Sequence, residues 1–133
     1  LAAERGSLNV VADQIGAPTS APLLADVTAH LIRQAEGQGH QSFPIGLYHL
    51  VAGGETNWHE YACYVVKCAL AAGKSLKLKP ENICAITTAD YPLPAKRPAN
   101  SRLNTDKLRQ TFKLDLPDWK TGLDQVLAKI LST

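Results

Sequence analysis

The sequence predicts an α/β domain with a small sheet and about four helices. Two segments show the order of strand, turn and helix: LNVVA is followed by DQIGAPT and a helical pattern, and GLYHLVA by GGETN and another. Further helical patterns close the chain. The 133 residues suffice for one hydrophobic core but are few for two domains, so we expect residues 1–133 to form one domain.

The first strand is predicted at residues 8–12, which are apolar and β-branched. Gly16 and Pro18 then favour a turn, and Thr19 or Ser20 can cap the helix that follows. The apolar positions that recur at helical spacing before Gly37 are Leu24, Val27, Leu31 and Ala35. A strand, a rigid turn and an amphipathic helix are therefore expected in that order.

The middle of the chain begins with a polar, glycine-bearing surface loop at 36–44. The near-continuous apolar run at 46–52 predicts a strand buried on both faces. Asn57 and Glu60 form a capping-box pattern at the start of a helix that Gly73 closes. The side of this helix expected to face the core carries Trp58, Tyr61, Ala62, Val65, Ala69 and Ala72.

The last third predicts a third strand at 83–88 and a proline-rich loop at 89–103. Because Pro92, Pro94 and Pro98 exclude both helix and central strand, the loop should be extended and on the surface. Two helices follow. The caps expected for them are Asn104 and Asp118, and the apolar stripe of the second helix is Trp119, Leu123, Val126, Leu127 and Ile130.

The composition excludes several classes of function. The chain is 45% hydrophobic and 20% charged, without an apolar run near the roughly 18 residues of a membrane span, so no membrane partner is expected. A net charge of +2 is too small to indicate nucleic-acid binding. Cys63, Cys68 and Cys84 lack zinc spacing and indicate buried thiols in a reducing compartment, hence the cytoplasm.

The 133 residues contain no methionine. We therefore expect this chain to be a piece of a longer protein, and in particular its C-terminal part. A processed or trimmed mature chain is the alternative interpretation.

A search for catalytic motifs finds none. The chain has neither G-x-G-x-x-G after a strand nor G-x-x-x-x-G-K-[ST], so we expect no nucleotide cofactor to bind to these residues alone. Tyr64 and Lys67 do not have the spacing of a Y-x-x-x-K pair. His59 and Cys63 lie one helical turn apart, but no second pair completes a metal site, and a packed thiol beside a histidine is favoured. We predict no catalytic, cofactor-binding or metal-ligating residue.

The proline-rich loop is the segment with a basic cluster, formed by Lys96, Arg97 and Arg102. Prolines reduce the entropy that a loop loses on ordering, and a guanidinium group suits a phosphate or diphosphate. Asn100 and Ser101 add neutral hydrogen-bonding groups. The alternative is that these charges are simply solvated.

Four segments in this order resemble the C-terminal part of the dTDP-4-dehydrorhamnose reductases, a family of extended short-chain dehydrogenases/reductases. They are VVADQIGAPTSAPLLADVTAHLI, GLYHLVAGGETNWHEYA, YPLPAKRPANSRLNTDKL and LPDWKTGLDQVL. The most specific motifs are D-Q-x-G-x-P-T, at 13–19, and R-P-x-N-S-x-L, at 97–103. The resemblance covers almost the whole chain.

The resemblance implies the substrate-binding lobe of a Rossmann-type enzyme that reduces dTDP-4-dehydro-L-rhamnose to dTDP-L-rhamnose. In that family an N-terminal Rossmann domain holds NADPH or NADH and a catalytic Tyr-x-x-x-Lys pair, and this sequence has neither. The strand at 46–52 and the helix after it would complete that domain's sheet. Isolated, the lobe should be inactive.

The resemblance also assigns the candidate substrate-binding residues. Arg97, Asn100, Ser101 and Arg102 would border the diphosphate of a dTDP-sugar. Gln14, Pro18 and Thr19 would lie at the junction of the two domains. The implied partners are the dTDP-sugar and the Rossmann domain, with a homodimer left open. Relatives of this fold include the methionine adenosyltransferase beta subunit, so a non-catalytic regulatory or binding subunit is the alternative.

Overall fold

The computed structural model describes residues 1–38 and 42–132 and confirms the α/β class. The described strands are β1 (Leu8–Val11), β2 (Ile15–Gly16), β3 (Thr56–Asn57) and β4 (Ile83–Ile86). The helices of this part are α1 (Ala21–Gln38), α2 (Trp58–Ala71), α3 (Asp106–Phe112) and α4 (Trp119–Leu131). Single 3₁₀ turns occupy Pro80–Asn82 and Thr88–Asp90.

The strands form two small sheets. β1 and β4 pair in parallel, from Leu8 opposite Ile83 to Val11 opposite Ile86. Parallel strands need a crossover connection, and here the crossover includes α2, which packs on one face of the pair. The buried residues Val66, Leu78 and Ile83 form a core cluster at this face. β2 and β3 form a two-residue antiparallel pair beside it.

A second core cluster joins α2 to α4. It contains Ala52, Trp119, Leu123 and Leu127, against which Tyr61 and Tyr64 pack. The Tyr64 ring meets the Trp119 ring edge to face at 5.5 Å, and its hydroxyl donates to Asp124 at 2.8 Å. These contacts fix the two helices against each other.

Most predicted elements are confirmed, with small shifts at their ends. Asn57 accepts from the backbone N–H of Glu60 at 2.9 Å, and α2 is followed by Gly73 at φ 77°. Asp118 caps α4 by accepting from the N–H of Lys120 at 3.0 Å. The third strand ends at Ile86, because Thr88 begins a 3₁₀ turn.

The N-cap of α3, the burial of the cysteines and the loop at 36–44 differ from expectation. The N-cap of α3 is Thr105, although the Asn104 side chain still accepts from the N–H of Asp106 at 2.7 Å. Cys84 is exposed rather than buried, because it lies on the face of the sheet opposite α2, and Cys63 and Cys68 are only partly buried. In the predicted loop 36–44, Glu36 and Gly37 belong to α1, while residues 39–41 lie outside the described residues.

The predicted strand at 46–52 is wrong: these residues, all described, form no strand. A strand needs a neighbouring backbone to pair with, whereas the hydrogen bonds found at the backbone of this segment are made with side chains. The N–H of Ala52 donates to the Thr19 hydroxyl at 3.1 Å, and the Lys107 ammonium donates to the carbonyl of Leu47 at 2.9 Å. Burial on both faces is also wrong, since Leu47 is 78% exposed.

No described helix is long and apolar enough to cross a membrane.

Leu78→Ala should destabilise the domain by about 2–5 kcal/mol, because the side chain is 2% exposed within the cluster under the parallel strands. The measurement is the free energy of unfolding from urea titration. Leu24→Ala is the matched control, since Leu24 is 40% exposed on α1 and its truncation should cost less than about 1 kcal/mol. Equal losses in the two variants would contradict the assignment of this core.

Candidate functional site

The site is built on the turn that leaves β1. The Asp13 carboxylate accepts from the backbone N–H of Thr88 at 2.9 Å and from its hydroxyl at 2.7 Å. The amide of Gln14 donates to the same hydroxyl at 3.1 Å. Because β1 and β4 are parallel, these bonds join the carboxyl ends of both strands, where ligands bind in α/β folds.

The same turn holds the far end of the proline-rich loop. The N–H of Ile15 donates to the carbonyl of Ala99 at 2.8 Å, and the N–H of Ser101 donates to the carbonyl of Ile15 at 2.9 Å. A Cβ on Gly16 would lie 2.6 Å from the Ser101 hydroxyl oxygen and would displace this hydroxyl from its hydrogen bond to the carbonyl of Ile15. The turn therefore fixes both ends of the loop.

Two cavities adjoin this arrangement. A compact pocket of about 300 Å³ is lined by residues that include Gln14, Pro18, Asn57, Trp58, Arg97 and Ser101. A wider groove of about 1200 Å³ runs along the parallel strands and the loop, where Asn9, Val11, Ile86 and Lys96 contribute to its walls. Gln14, Trp58 and Arg97 line both. These three residues therefore lie where the pocket meets the groove.

The predicted site residues divide into two groups. Gln14, Pro18, Arg97 and Ser101 line the compact pocket. Thr19, Asn100 and Arg102 line neither cavity. The assignment of each residue to a substrate stays a prediction.

The three remaining residues have structural contacts. The Thr19 hydroxyl donates to the carbonyl of Ala17 at 3.0 Å and accepts from the N–H of Ala52. The Arg102 guanidinium pairs with Glu55 at 2.7 Å and donates to the Asn100 side chain at 3.0 Å. This ion pair neutralises the Arg102 charge locally, in contrast to Arg97 between the cavities.

The sequence placed Trp58 in the core stripe of α2, and this is wrong. The side chain is 54% exposed and forms part of the wall of both cavities. Its ring meets Tyr61 edge to face at 6.0 Å, which holds the orientation. The sequence did carry one signal of this exposure. Trp58 directly follows the N-cap Asn57, and a side chain in the first turn of a helix can point away from the core.

Hydrogen bonds keep the carboxylates near the strand ends ionised. The Thr88 hydroxyl and N–H lower the pKa of Asp13 below its ordinary 3.8. The Thr87 hydroxyl and N–H do the same for Asp90, where they donate at 2.7 and 2.9 Å. Asp13 and Asp90 are therefore ionised at neutral pH near one end of the loop, whereas Lys96 and Arg97 within the loop carry positive charges.

The other titratable groups considered have structural partners. His59 Nε2 lies 2.9 Å from the carbonyl of Ile83 and 3.7 Å from the Cys63 sulfur. The hydrogen bond to Asp124 raises the pKa of Tyr64 to about 12, which disfavours proton transfer by this phenol. In residues 1–38 and 42–132, no three His, Cys, Asp or Glu side chains are grouped so as to hold a metal ion.

Fold and site together define the class as an α/β ligand-binding lobe with a cleft beside the carboxyl ends of parallel strands. The family model described as RmlD substrate binding domain matches residues 1–132, and the chain belongs to this family. The chain is 52% identical over its full length to a dTDP-4-dehydrorhamnose reductase of Shigella flexneri, and 39% identical to one of Burkholderia thailandensis. It spans 43% and 45% of these relatives.

Solved structures agree with this assignment. A dTDP-4-dehydrorhamnose reductase of Bacillus anthracis, in complex with NADP, matches with a TM-score of 0.76 and 28% identity, over 95% of this chain and 39% of that one. An ortholog from Clostridium acetobutylicum matches with a TM-score of 0.75 and 27% identity, over 97% and 40%. The fold expected from the sequence is thus found in both.

Asp90→Asn should reduce stability at neutral pH, because the carboxylate accepts two hydrogen bonds from Thr87. A folded-state pKa below 3.8 means that the ionised carboxylate contributes stability above 3.8, and that this contribution disappears as the pH falls through the folded value. The gap in unfolding free energy between wild type and variant should therefore close below pH 3.8. Urea titrations at several pH values measure it; a gap that widens in acid would contradict the assignment.

Proposed function

We propose that this chain is the substrate-binding lobe of an NAD(P)H-dependent dTDP-4-dehydrorhamnose reductase and that it binds the dTDP-sugar across the two cavities. Family membership supports the class of substrate. The single observation that supports the binding mode is that Arg97 lines both the compact pocket and the groove.

The proposal follows from the shape of a sugar nucleotide. Such a molecule carries a ring system at each end and an anionic diphosphate between them. Arg97 offers a fork of N–H donors to the diphosphate at the junction of the cavities. One ring system then lies in the compact pocket and the other in the groove. Trp58 presents an exposed aromatic face at the same junction, suited to packing against a ring.

Neutral donors complete the proposed diphosphate site. Gln14 lines both cavities, and Ser101 lines the compact pocket. Asn100 and Arg102, which line neither, support the site by holding the loop through their contacts with each other and with Glu55. Pro18 and Thr19 stiffen the turn between β1 and α1.

The cofactor is proposed to bind outside this chain. A dinucleotide turn needs glycines and free N–H groups at a helix N-terminus, but the turn after β1 carries the Asp13 carboxylate and Pro18. These residues do not fit the pyrophosphate of NADPH or NADH, so a Rossmann domain would supply the hydride chemistry. This lobe orients the sugar nucleotide and excludes water from it.

The segment at 46–52 is proposed to join the sheet of that Rossmann domain. It is apolar, Leu47 is largely exposed, and it has no strand partner among the described residues. An added strand partner would satisfy its backbone. The cytoplasm is the proposed compartment, supported by three thiols that form no disulfide. A homodimer stays a prediction.

Arg97→Ala in the full-length reductase should raise the dissociation constant for dTDP about 10- to 100-fold, the usual loss for a hydrogen bond to a charged group. The dissociation constant of Arg97→Lys for dTDP should lie between those of the wild type and Arg97→Ala, since lysine keeps the charge without the paired N–H donors of a guanidinium group. Isothermal calorimetry with dTDP measures the change.

Two controls accompany this prediction. Arg33→Ala removes an exposed arginine on α1 that lines neither cavity and should leave the affinity unchanged. Arg102→Ala should have a smaller effect than Arg97→Ala, because Glu55 already pairs with Arg102. Unchanged dTDP affinity in Arg97→Ala would refute the proposed site. Tight dTDP binding without NADPH oxidation on the keto-sugar would instead favour a non-catalytic binding subunit.

Binding of dTDP should quench tryptophan emission through Trp58, which is 54% exposed beside the cavities, whereas Trp119 is buried between α2 and α4. The ligand-dependent part of the emission should disappear in Trp58→Phe and persist in Trp119→Phe. Fluorescence titration of the three proteins measures it. The reverse pattern would place the ligand away from the proposed junction.

A further inference from the structure

We propose that Asp13 is a positioning residue for substrate binding: by holding Thr88, it fixes one end of the loop that carries Arg97. This inference rests on the proposed function, and it adds a residue that contacts no ligand to the determinants of affinity. It assigns a task to the first residue of the D-Q-x-G-x-P-T motif.

The loop depends on its two ends for its position. Every residue from 89 to 98 is exposed, so burial of side chains does little to hold this segment. One end is fixed where Thr88 contacts Asp13, and the other where Ala99 and Ser101 hydrogen-bond with Ile15. Two anchors that lie two residues apart in the turn therefore close the whole loop.

Asp13 is the stronger part of the first anchor. Its carboxylate accepts from both donors of Thr88, and hydrogen bonds to an ionised acceptor are about twice as strong as those between neutral groups. The Thr88 hydroxyl also accepts from Gln14, so Asp13 aligns a short chain of hydrogen bonds that ends on a cavity wall.

Asp13 itself lines neither cavity. Any effect of Asp13 on a bound diphosphate must therefore pass through the residues that it holds. If this anchor is removed, the loop samples more conformations. Ligand binding must then order the loop, and this entropy cost lowers the apparent affinity for the ligand. The prolines at 92, 94 and 98 limit this spread, so we expect a moderate effect.

The test is a double-mutant cycle in the full-length reductase with Asp13→Ala, Arg97→Ala and the double variant. Asp13→Ala should raise the dissociation constant for dTDP about threefold to tenfold, the range for one lost hydrogen bond. The KM for NADPH should stay unchanged. The double variant should bind dTDP less weakly than the product of the two single effects predicts, because part of the effect of Asp13 passes through Arg97.

Asp115→Ala is the matched control. Asp115 is a fully exposed carboxylate that pairs with Arg109 at 3.5 Å, away from both cavities, and its loss should leave dTDP affinity unchanged. Should Asp13→Ala fail to fold, Asp13→Asn replaces it in the cycle, since it keeps one acceptor oxygen. Asp13→Asn should raise the dissociation constant for dTDP less than Asp13→Ala would, and this rise should depend on Arg97 in the same way.

The outcomes separate this inference from the proposed function. If Arg97→Ala weakens dTDP binding but Asp13→Ala does not, the positioning role is refuted and the proposed function stands. The inference would also be refuted if the two effects on the dissociation constant multiply in the double variant, or if Asp13→Ala raises the KM for NADPH as much as the dissociation constant for dTDP. Either result would show that Asp13 only stabilises the fold in general. If Arg97→Ala has no effect, the proposed function itself fails.

Discussion

The arrangement of this lobe depends on the hydrogen bonds made by one short turn, residues 13–19. Asp13 contacts the end of β4, Ile15 the far end of the proline-rich loop, and Thr19 the backbone at Ala52. Ile15 and Gly16 also pair with β3, directly before α2. One stretch of chain therefore places the parallel strands, the basic loop and the start of α2 relative to each other, and the two cavities are the spaces between them.

The charges of the loop follow from the same arrangement. Near its C-terminal end, Arg102 is neutralised by Glu55, which keeps that end on the surface beside β3. Near its N-terminal end, Asp90 hydrogen-bonds with Thr87, and this bond lowers the pKa of Asp90. Arg97, in contrast, lines both cavities. Under the proposed function, an anion that enters between the cavities would meet the Arg97 guanidinium group on a proline-stiffened loop, which would favour a diphosphate over a neutral ligand.

Local signals made the helices, β1 and β4 predictable from the sequence. Asn57 and Asp118 cap helices wherever the chain goes afterwards, and periodicity identifies a helix face without its partner. The basic loop was recognisable because proline and charge are local properties. The Glu55 partner of Arg102 was not predictable, because this ion pair joins segments that are distant in sequence. The strand expected at 46–52 was wrong because an apolar pattern shows that a segment favours the extended conformation, but not whether a neighbouring strand exists.

Under the proposed function, the absence of a strand at 46–52 and the openness of the groove have the same physical explanation. Parallel sheets are normally covered on both faces, yet here α2 covers one face, while Val11 and Ile86 on the other line the groove. Ile45 and Leu47 are also exposed, and large apolar side chains in water are unfavourable. A Rossmann domain that pairs with 46–52 and closes over the groove would bury these residues. It would also narrow the groove around the sugar nucleotide, so domain assembly and substrate binding would draw on the same surfaces.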